Sequence, residues 1–489
     1  MVQINRGLGA IHRLPNVPLI RCNFPLKGFP ISLGREEALL RGSILSKRQT
    51  KEQHKMYKIQ RLLLMLVLLS ISVLAQGQVW EKRYVGRGGG IDSANALATD
   101  TSGNVYVTGS SNGGESTKKD IVTLKYAPNG DALWQKRYAG LMGDDAPHAL
   151  SVDTTGNVYV TGYSMGAGAV YNILTLKYDT LGNLLWVKRY ASIGGNSYPY
   201  ALSIDISGNV YITGYTGGSP NNDTLTLKYS THGNLLWVKK YAGTGESTDV
   251  PHALSLDSSG NVYIAGYTGV SPNFDTLLLK YDANGNMQWV RRYAGKGRDD
   301  YANALGVDSA GNAYLAVTSE DGSSHYDILT LKYDTNGNIQ WVRRYAGRGQ
   351  DDYATALGID PTGNVVVAGY SDDGTQHYNI ITLKYDTSGN TKWVSRYGSR
   401  NGGDAIPSAL ALDTAGNVYL TGRASFNLGA GFDALTLKYD TNGGLAWVER
   451  YVRHLSGYDA GYAIALAPSG AVYVAGESHT DMLLVKYIH

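Results

Sequence analysis

The chain has a single cysteine in 489 residues, Cys22, and it precedes every repeated element. Disulfides, thiol nucleophiles and thiolate metal sites are therefore excluded from the repeated region. Proline is scarce, 13 residues against 61 glycines, which excludes a disordered Pro/Gly polymer and leaves the glycines to make turns. The apolar run Leu62 to Ala75 is 14 residues long, short of the roughly 20 that span a bilayer. No H-E-x-x-H pair or P-loop occurs, so a catalytic site of those kinds is excluded and any other has to be assembled from scattered residues.

The formal charge of +3 averages two segments of opposite sign. Residues 1–55 carry ten Lys/Arg against three Asp/Glu, whereas the chain from Leu62 onward carries 32 basic against 38 acidic residues, a net of −6. That balance argues against nucleic acid as a partner. Between the two lies Met56–Gly77, with Lys58 and Arg61 ahead of the apolar run and the small residues Ala75 and Gly77 behind it. This is the pattern of a secretory signal peptide over 56–77, and it predicts a secreted, periplasmic or cell-surface protein with no transmembrane anchor in the mature chain. No cysteine follows the run, which closes the lipoprotein route. A signal peptide belongs at the start of a chain, so residues 1–55 read as an over-extended reading frame, with a genuine basic leader as the alternative.

What remains, 78–489, repeats. The eight tryptophans Trp80, Trp134, Trp186, Trp237, Trp289, Trp341, Trp393 and Trp447 are spaced 51 to 54 residues apart. A fixed period of this size marks one supersecondary unit stacked on its neighbours. Each unit holds four short runs rich in Val, Ile, Leu, Tyr and Trp, without a 3.6-residue period, which predicts four antiparallel strands. Strands one and two are joined by D-x-x-G-N, as at Asp153–Asn157, and strands three and four by turns such as Asp334–Asn338; Gly supplies the positive φ, and Asp and Asn bond their own backbone. The last copy stops after its third strand, and an orphan fourth strand, V-W-E-K-R-Y, stands at Val79–Tyr84. The predicted fold is therefore all-β: an eight-bladed β-propeller of four-stranded antiparallel blades, its ring closed by the N-terminal strand completing the last blade.

The strings G-N-V-Y-V-T-G (Gly103–Gly109, Gly156–Gly162), L-K-Y-D-T-N-G-N and W-V-R-R-Y resemble the bacterial SBBP-type β-propeller repeat over about Val79 to His489. The resemblance implies an exported propeller; the family is usually drawn with seven blades, so eight is a departure, as are Val317 for the usual Gly and Val366 for the usual Tyr. L-K-Y-D-T-N-G-N-I-Q-W is also similar to the tryptophan-docking repeat of eight-bladed quinoprotein dehydrogenases and of related non-catalytic outer-membrane assembly propellers. Those repeats have one more residue between Asp and Gly, and the enzymes often carry a cysteine pair that this chain lacks.

Recurrence in every copy assigns the tryptophans to packing between blades. It assigns the Lys/Arg pairs of strand four, such as Lys188–Arg189 and Arg343–Arg344, to protection of an outer edge. D-T-N-G-N lacks the position-six Gly and terminal Glu of a calcium loop and reads as a hairpin turn. Ahead of strand one stand Asp92, Asp145, Asp249, Asp300, Asp352 and Asp459, with Ser197 in the third copy and Asp404 displaced in the seventh. Set around one mouth of the channel beside His148, His252, Tyr198, Tyr200, Tyr301 and Tyr353, they suit a protein or polysaccharide ligand or, as the one ion considered, Ca²⁺. The variable loops add Tyr171, Phe274, His325, Tyr326, His377, Tyr378 and Phe432. The bland reading is that each Asp satisfies backbone N–H groups at a turn.

The function expected is a monomeric, non-enzymatic binding or scaffolding module acting through its variable-loop face. Ligand-binding candidates are Asp145, His148, Asp249, His252, Asp300, Tyr301, Asp352 and Tyr353, with no cofactor required. The alternatives are a carbohydrate-active hydrolase or lyase, for which Asp299–Asp300 and Asp351–Asp352 are the first acid/base candidates, and an envelope assembly factor that binds strands at blade edges.

Overall fold

The computed structural model describes residues 77–489 apart from 87–88, 114–117, 141–142, 193–194, 219–220, 246, 297–298, 349–350, 376, 400–401, 426–430 and 454–456. The leader 1–55 lies outside the described residues, as does the segment 56–77 except for Gly77.

Eight four-stranded antiparallel sheets follow one another along the chain. Blades one to seven run Ser93–Tyr138, Asp145–Tyr190, Asn196–Tyr241, Thr248–Tyr293, Asp300–Tyr345, Asp352–Tyr397 and Ala405–Tyr451. Blade eight takes three strands from Asp459–Ile488 and its fourth from Gly77–Tyr84, which pairs antiparallel with Asp481–Ile488 in a register from Gly77 opposite Ile488 to Tyr84 opposite Met482. The first strands of successive blades line the centre, and the circle closes between blades eight and one, where Thr99 Oγ1 donates to the Leu466 carbonyl at 3.0 Å. The only helical element among the described residues is a 3₁₀ turn, Ala167–Ala169, and no helix is long and apolar enough to cross a membrane.

The core lies between blades rather than within them, because each flat sheet has two apolar faces and only a neighbour can cover each one. Between blades five and six, Tyr314, Ala316 and Ile328 meet Val365, Val367, Ile381 and Leu383, all buried. Val317, which replaces the usual Gly, is fully buried in the cluster joining blades four and five. In blades one to seven the turn between strands one and two is locked by its aspartate, which blade eight replaces with Ala467: in blade two Asp153 Oδ1 accepts from Thr155 N at 3.0 Å and Asn157 N at 2.9 Å, and Oδ2 from Tyr159 Oη at 3.0 Å.

Seven of the indoles face the next blade. Trp134, Trp186, Trp237, Trp289, Trp341 and Trp393 each donate Nε1–H to a carbonyl in the following blade's strand three–four turn at 2.9–3.2 Å, and Trp80, on the closing strand, does the same to Pro128 of blade one at 3.2 Å. The turn glycine is the seat: Gly182 has φ +80°, and a Cβ there would stand 2.9 Å from the Trp134 ring. Trp447 differs because blade eight has no such turn; its N–H has no partner among the described residues and its ring stacks on His489 at 3.9 Å.

The basic pairs of strand four are not free edge charges. The first residue of the pair reaches the same turn, as Arg291 Nε does to the Gly337 carbonyl at 2.6 Å. The second turns back to the preceding blade: Arg189, Arg292 and Arg396 donate to Tyr138, Tyr241 and Tyr345 hydroxyls at 2.7, 3.0 and 2.8 Å. In these copies both residues tie blades together, while Lys240 and Arg344 bond Asp223 and Asp327 of their own blades.

Candidate functional site

The loops leading into strand one and the variable loops between strands two and three share one face. Two devices build it. Asp145, Asp249, Asp300 and Asp352 are at most 1% exposed, and each accepts a backbone N–H from a glycine five or six residues earlier: Gly140, Gly243 (2.6 Å), Gly295 (2.5 Å) and Gly347 (2.5 Å). Asp92 and Asp459 do likewise with Gly86 and Arg453. Ser197 bonds Thr216 instead, and blade seven places Ala405 at this position. The residue just before the anchor is the second device, since it latches the preceding blade: Asp144, Asn196, Asp299, Asp351 and Asp404 accept the N–H of Lys119, Tyr171, Phe274, Tyr326 and Tyr378 at 2.8–3.1 Å. The pairs Asp299–Asp300 and Asp351–Asp352 are therefore both committed to backbone. Among the described residues no three His, Cys, Asp or Glu side chains converge to hold a metal ion.

Burial raises the carboxyls of Asp145 and Asp300, and pushes Asp352 up to about 6 against the Ser371 and Gly347 hydrogen bonds that pull it down. A folded pKa above the unfolded value of about 4 means stability is full below that value and falls as pH rises to about 6. Asp352→Asn is expected to remove this slope, making the wild type lose on the order of 2 kcal/mol more than the variant between pH 4 and 7. Urea unfolding across that range measures it, and parallel curves would refute it.

The histidines and tyrosines lie apart from these carboxylates, on the surface of the face. Every first strand carries a β-bulge at one register position, which leaves one residue per blade unpaired: Asn95, His148, Tyr200, His252, Asn303, Thr355, Ser408 and Tyr462. The bulge re-aims that side chain. His148 meets Tyr200 at 5.8 Å between ring centroids, and Tyr200 meets His252 at 5.5 Å. Burial lowers both imidazole pKa values, and His252 Nδ1 stands 3.1 Å from the Ala302 carbonyl of the next blade.

A second ring of residues, directly after the strand-two glycine, joins them: Tyr163, Tyr215, Tyr267 and Tyr370. Tyr267 touches His252 (5.4 Å), Phe274 (5.0 Å) and Tyr301 (5.1 Å). Tyr163 touches Tyr171 (5.1 Å) and Tyr198 (5.2 Å). Further round, Tyr353 stacks on Tyr370 at 4.9 Å and meets Tyr326 at 5.5 Å, while Tyr370 meets Tyr378 at 5.0 Å. Burial raises the Tyr301 and Tyr353 hydroxyls, and Asp299 and Asp351 add to it. His325 and His377 sit 3.5 and 3.6 Å from Asp351 and Asp404. The result is a row of partly exposed rings across blades two to six. Of the eight candidates, His148 and His252 are linked through Tyr200, Tyr301 adjoins them through Tyr267, and Tyr353 centres the second group.

On the opposite face the clefts are open and of mixed polarity. One of about 300 Å³ lies between the turns of blades two and three and is lined by Asp153, Asn157 and Asp205, whose side chains already bond their own turns.

Known proteins agree with this architecture. The chain is 23% identical over 425 residues to an uncharacterised WD repeat-containing protein of Acanthamoeba polyphaga mimivirus, covering 67% of this chain and 29% of that protein. It is 24% identical over 332 residues to the regulatory protein FlaEY of Caulobacter vibrioides, covering 60% and 32%. The chain thus matches about a third of the length of these curated relatives. Among solved structures, Sqt1 of Chaetomium thermophilum superposes with a TM-score of 0.52 at 12% identity over 85% of this chain and 99% of that one, a likeness of fold alone. Four stretches, 82–115, 185–220, 237–272 and 288–319, match the SBBP β-propeller repeat family. Each stretch begins on a fourth strand and crosses into the next blade, so it spans a joint with the basic pair and the bulge, and in three of the four it includes the tryptophan. The chain is an eight-bladed β-propeller in which the SBBP-type repeat is found in four places.

Proposed function

We propose that this propeller is an exported, monomeric binding module whose loop face takes an extended glycan laid across blades two to six. The observation that carries the reading is two groups of contacting, partly exposed rings on one face, His148 to Tyr301 in blades two to five and Tyr326 to Tyr378 in blades five and six. Sugar rings present C–H faces that stack on such rings and hydroxyls that bond to their polar edges. Most of the large exposed aliphatic residues, among them Leu181, Leu184, Leu235, Ile339 and Leu445, stand instead on strand four or in the hairpin turns. Export rests on the basic, apolar and small-residue order of Lys58 to Gly77.

The test expresses the chain from Met56, sequences the N-terminus of the exported product and measures its retardation in gels containing neutral or acidic polysaccharides. Cleavage near Gly77 and retardation by at least one polymer are expected. Tyr200→Ala and Tyr353→Ala should each weaken that binding about tenfold, an effect of the size of one lost aromatic contact, with little change in thermal midpoint. Absence of retardation by every polymer, or binding that both variants leave intact, would overturn the glycan reading, and turnover of a polymer would replace it with an enzyme.

A further inference from the structure

The aromatic row ends where the repeat breaks its own rule. After the strand-two glycine, blades two, three, four and six carry tyrosine, but blade seven carries Arg423. Its guanidinium lies 5.1 Å from the Phe432 ring centroid and 5.9 Å from that of Tyr458, and Nη1 donates to Tyr458 Oη at 2.7 Å. Arg423 Nε is buried with no hydrogen-bond partner among the described residues, and no described carboxylate is recorded in an ion pair with Arg423. Residues 426–430, which follow it in sequence, and 454–456, which precede Tyr458, contain no Asp or Glu. Some strand-four arginines are paired with an aspartate of their own blade, Arg137 with Asp120, Arg344 with Asp327 and Arg450 with Asp433, while Arg189, Arg292 and Arg396 end on tyrosine hydroxyls.

The neighbouring acid is Glu477, the blade-eight residue at the same repeat position. The hydroxyls of Tyr458 and Tyr462 intervene: Tyr462 Oη stands 3.4 Å from Tyr458 Oη and 3.5 Å from Glu477 Oε2. Burial pushes the Glu477 carboxyl up, against hydrogen bonds from Ser93 and Tyr462 that pull it down. Arg423 lies within electrostatic reach of Tyr370, where it offsets part of the rise that burial gives that hydroxyl. A guanidinium lying over aromatic rings, and not paired with a carboxylate of its own chain among the described residues, has the chemistry to take one through charged hydrogen bonds.

We infer that Arg423 receives a carboxylate borne by the bound glycan, so that the loop face prefers uronate-containing chains to neutral ones. This rests on the glycan reading above. The test compares a polyuronate with its carboxyl-reduced, neutral counterpart, using the wild type, Arg423→Tyr and Arg423→Gln. Arg423→Tyr installs the residue that the repeat itself uses, so the fold should tolerate it, and the thermal midpoint checks this. Both variants should lose about tenfold or more in affinity for the polyuronate, as expected for a charged hydrogen-bonded pair, and change less than twofold toward the neutral polymer. Wild-type affinity of Arg423→Tyr for the polyuronate would overturn the inference, and if Tyr353→Ala still weakens binding the glycan reading survives. Binding of neither polymer, with Arg423-dependent capture of a Glu-rich peptide, would overturn both in favour of a protein partner.

Discussion

Trp341→Ala is expected to destabilise the propeller by about 3–5 kcal/mol, the cost of emptying a large buried aromatic site. Trp341 is the most buried of the eight indoles at 8% exposure. It lies between Tyr314 and Tyr385 at 6.0 and 6.1 Å, with the Arg343 guanidinium 5.6 Å from its ring. Its other wall is Gly389 of the next blade, at φ +81°, where even a methyl group would stand 2.8 Å from the indole. The carbonyl it bonds, that of Thr387, also accepts Lys332 Nζ at 2.9 Å, so truncation leaves no orphaned acceptor and the loss is mainly packing. Trp447→Ala should cost less, since its N–H has no partner among the described residues and its neighbour is the terminal His489. Urea unfolding followed by tyrosine fluorescence measures both, and equal losses would contradict the assignment of Trp341 to an inter-blade seat.

These seats were legible because they recur. Trp80 on a strand detached from its own copy announces the closing strand, and D-x-x-G-N announces its turn, since spacing alone carries that information. Side-chain direction was less legible. Asp145 or Asp300 looks like a channel-mouth ligand until the backbone shows it folded back on Gly140 or Gly295; the signal was the glycine five or six residues upstream. Arg189 and its equivalents looked like edge charges because the sequence does not show that a tyrosine hydroxyl of the preceding blade lies within reach. Tyr163, Tyr215, Tyr267 and Tyr370 were passed over because they sit inside the most regular string of the repeat, directly after its glycine. A β-bulge cannot be read from a period of two, so the ring from Asn95 to Tyr462 emerges only from strand register.

Lys384→Met is the second substitution expected to cost several kcal/mol, and its origin is the one copy that lacks the strand-two tyrosine. In six copies that hydroxyl (Tyr106, Tyr159, Tyr211, Tyr263, Tyr314, Tyr419) bonds the turn aspartate at 2.9–3.3 Å, while in five of the blades so built the strand-three lysine passes over the ring to a carbonyl of the next blade. In blade six Val366 removes the phenol, and Lys384 turns inward to Asp360, Nζ to Oδ2 at 2.8 Å, with side chains 2% and 4% exposed. Burial opposes ionisation of Asp360, but bonds from Lys384, Asn364 and Thr362 outweigh it and hold the carboxyl far below the ordinary range. Removing the cation leaves a buried carboxylate with fewer partners, at a cost of about 3 kcal/mol near neutral pH. Because the folded pKa is depressed, the stabilisation is present above the unfolded value of about 4 and is lost as pH falls through the folded value, so the penalty should shrink in acid. Val366→Tyr in the Lys384→Met background restores the tyrosine–aspartate bond of the other copies and should recover part of the loss. A double-mutant cycle by urea unfolding at pH 7 and pH 3 decides it: additive losses, or a penalty that grows in acid, would mean that Lys384 does not stabilise this joint through Asp360.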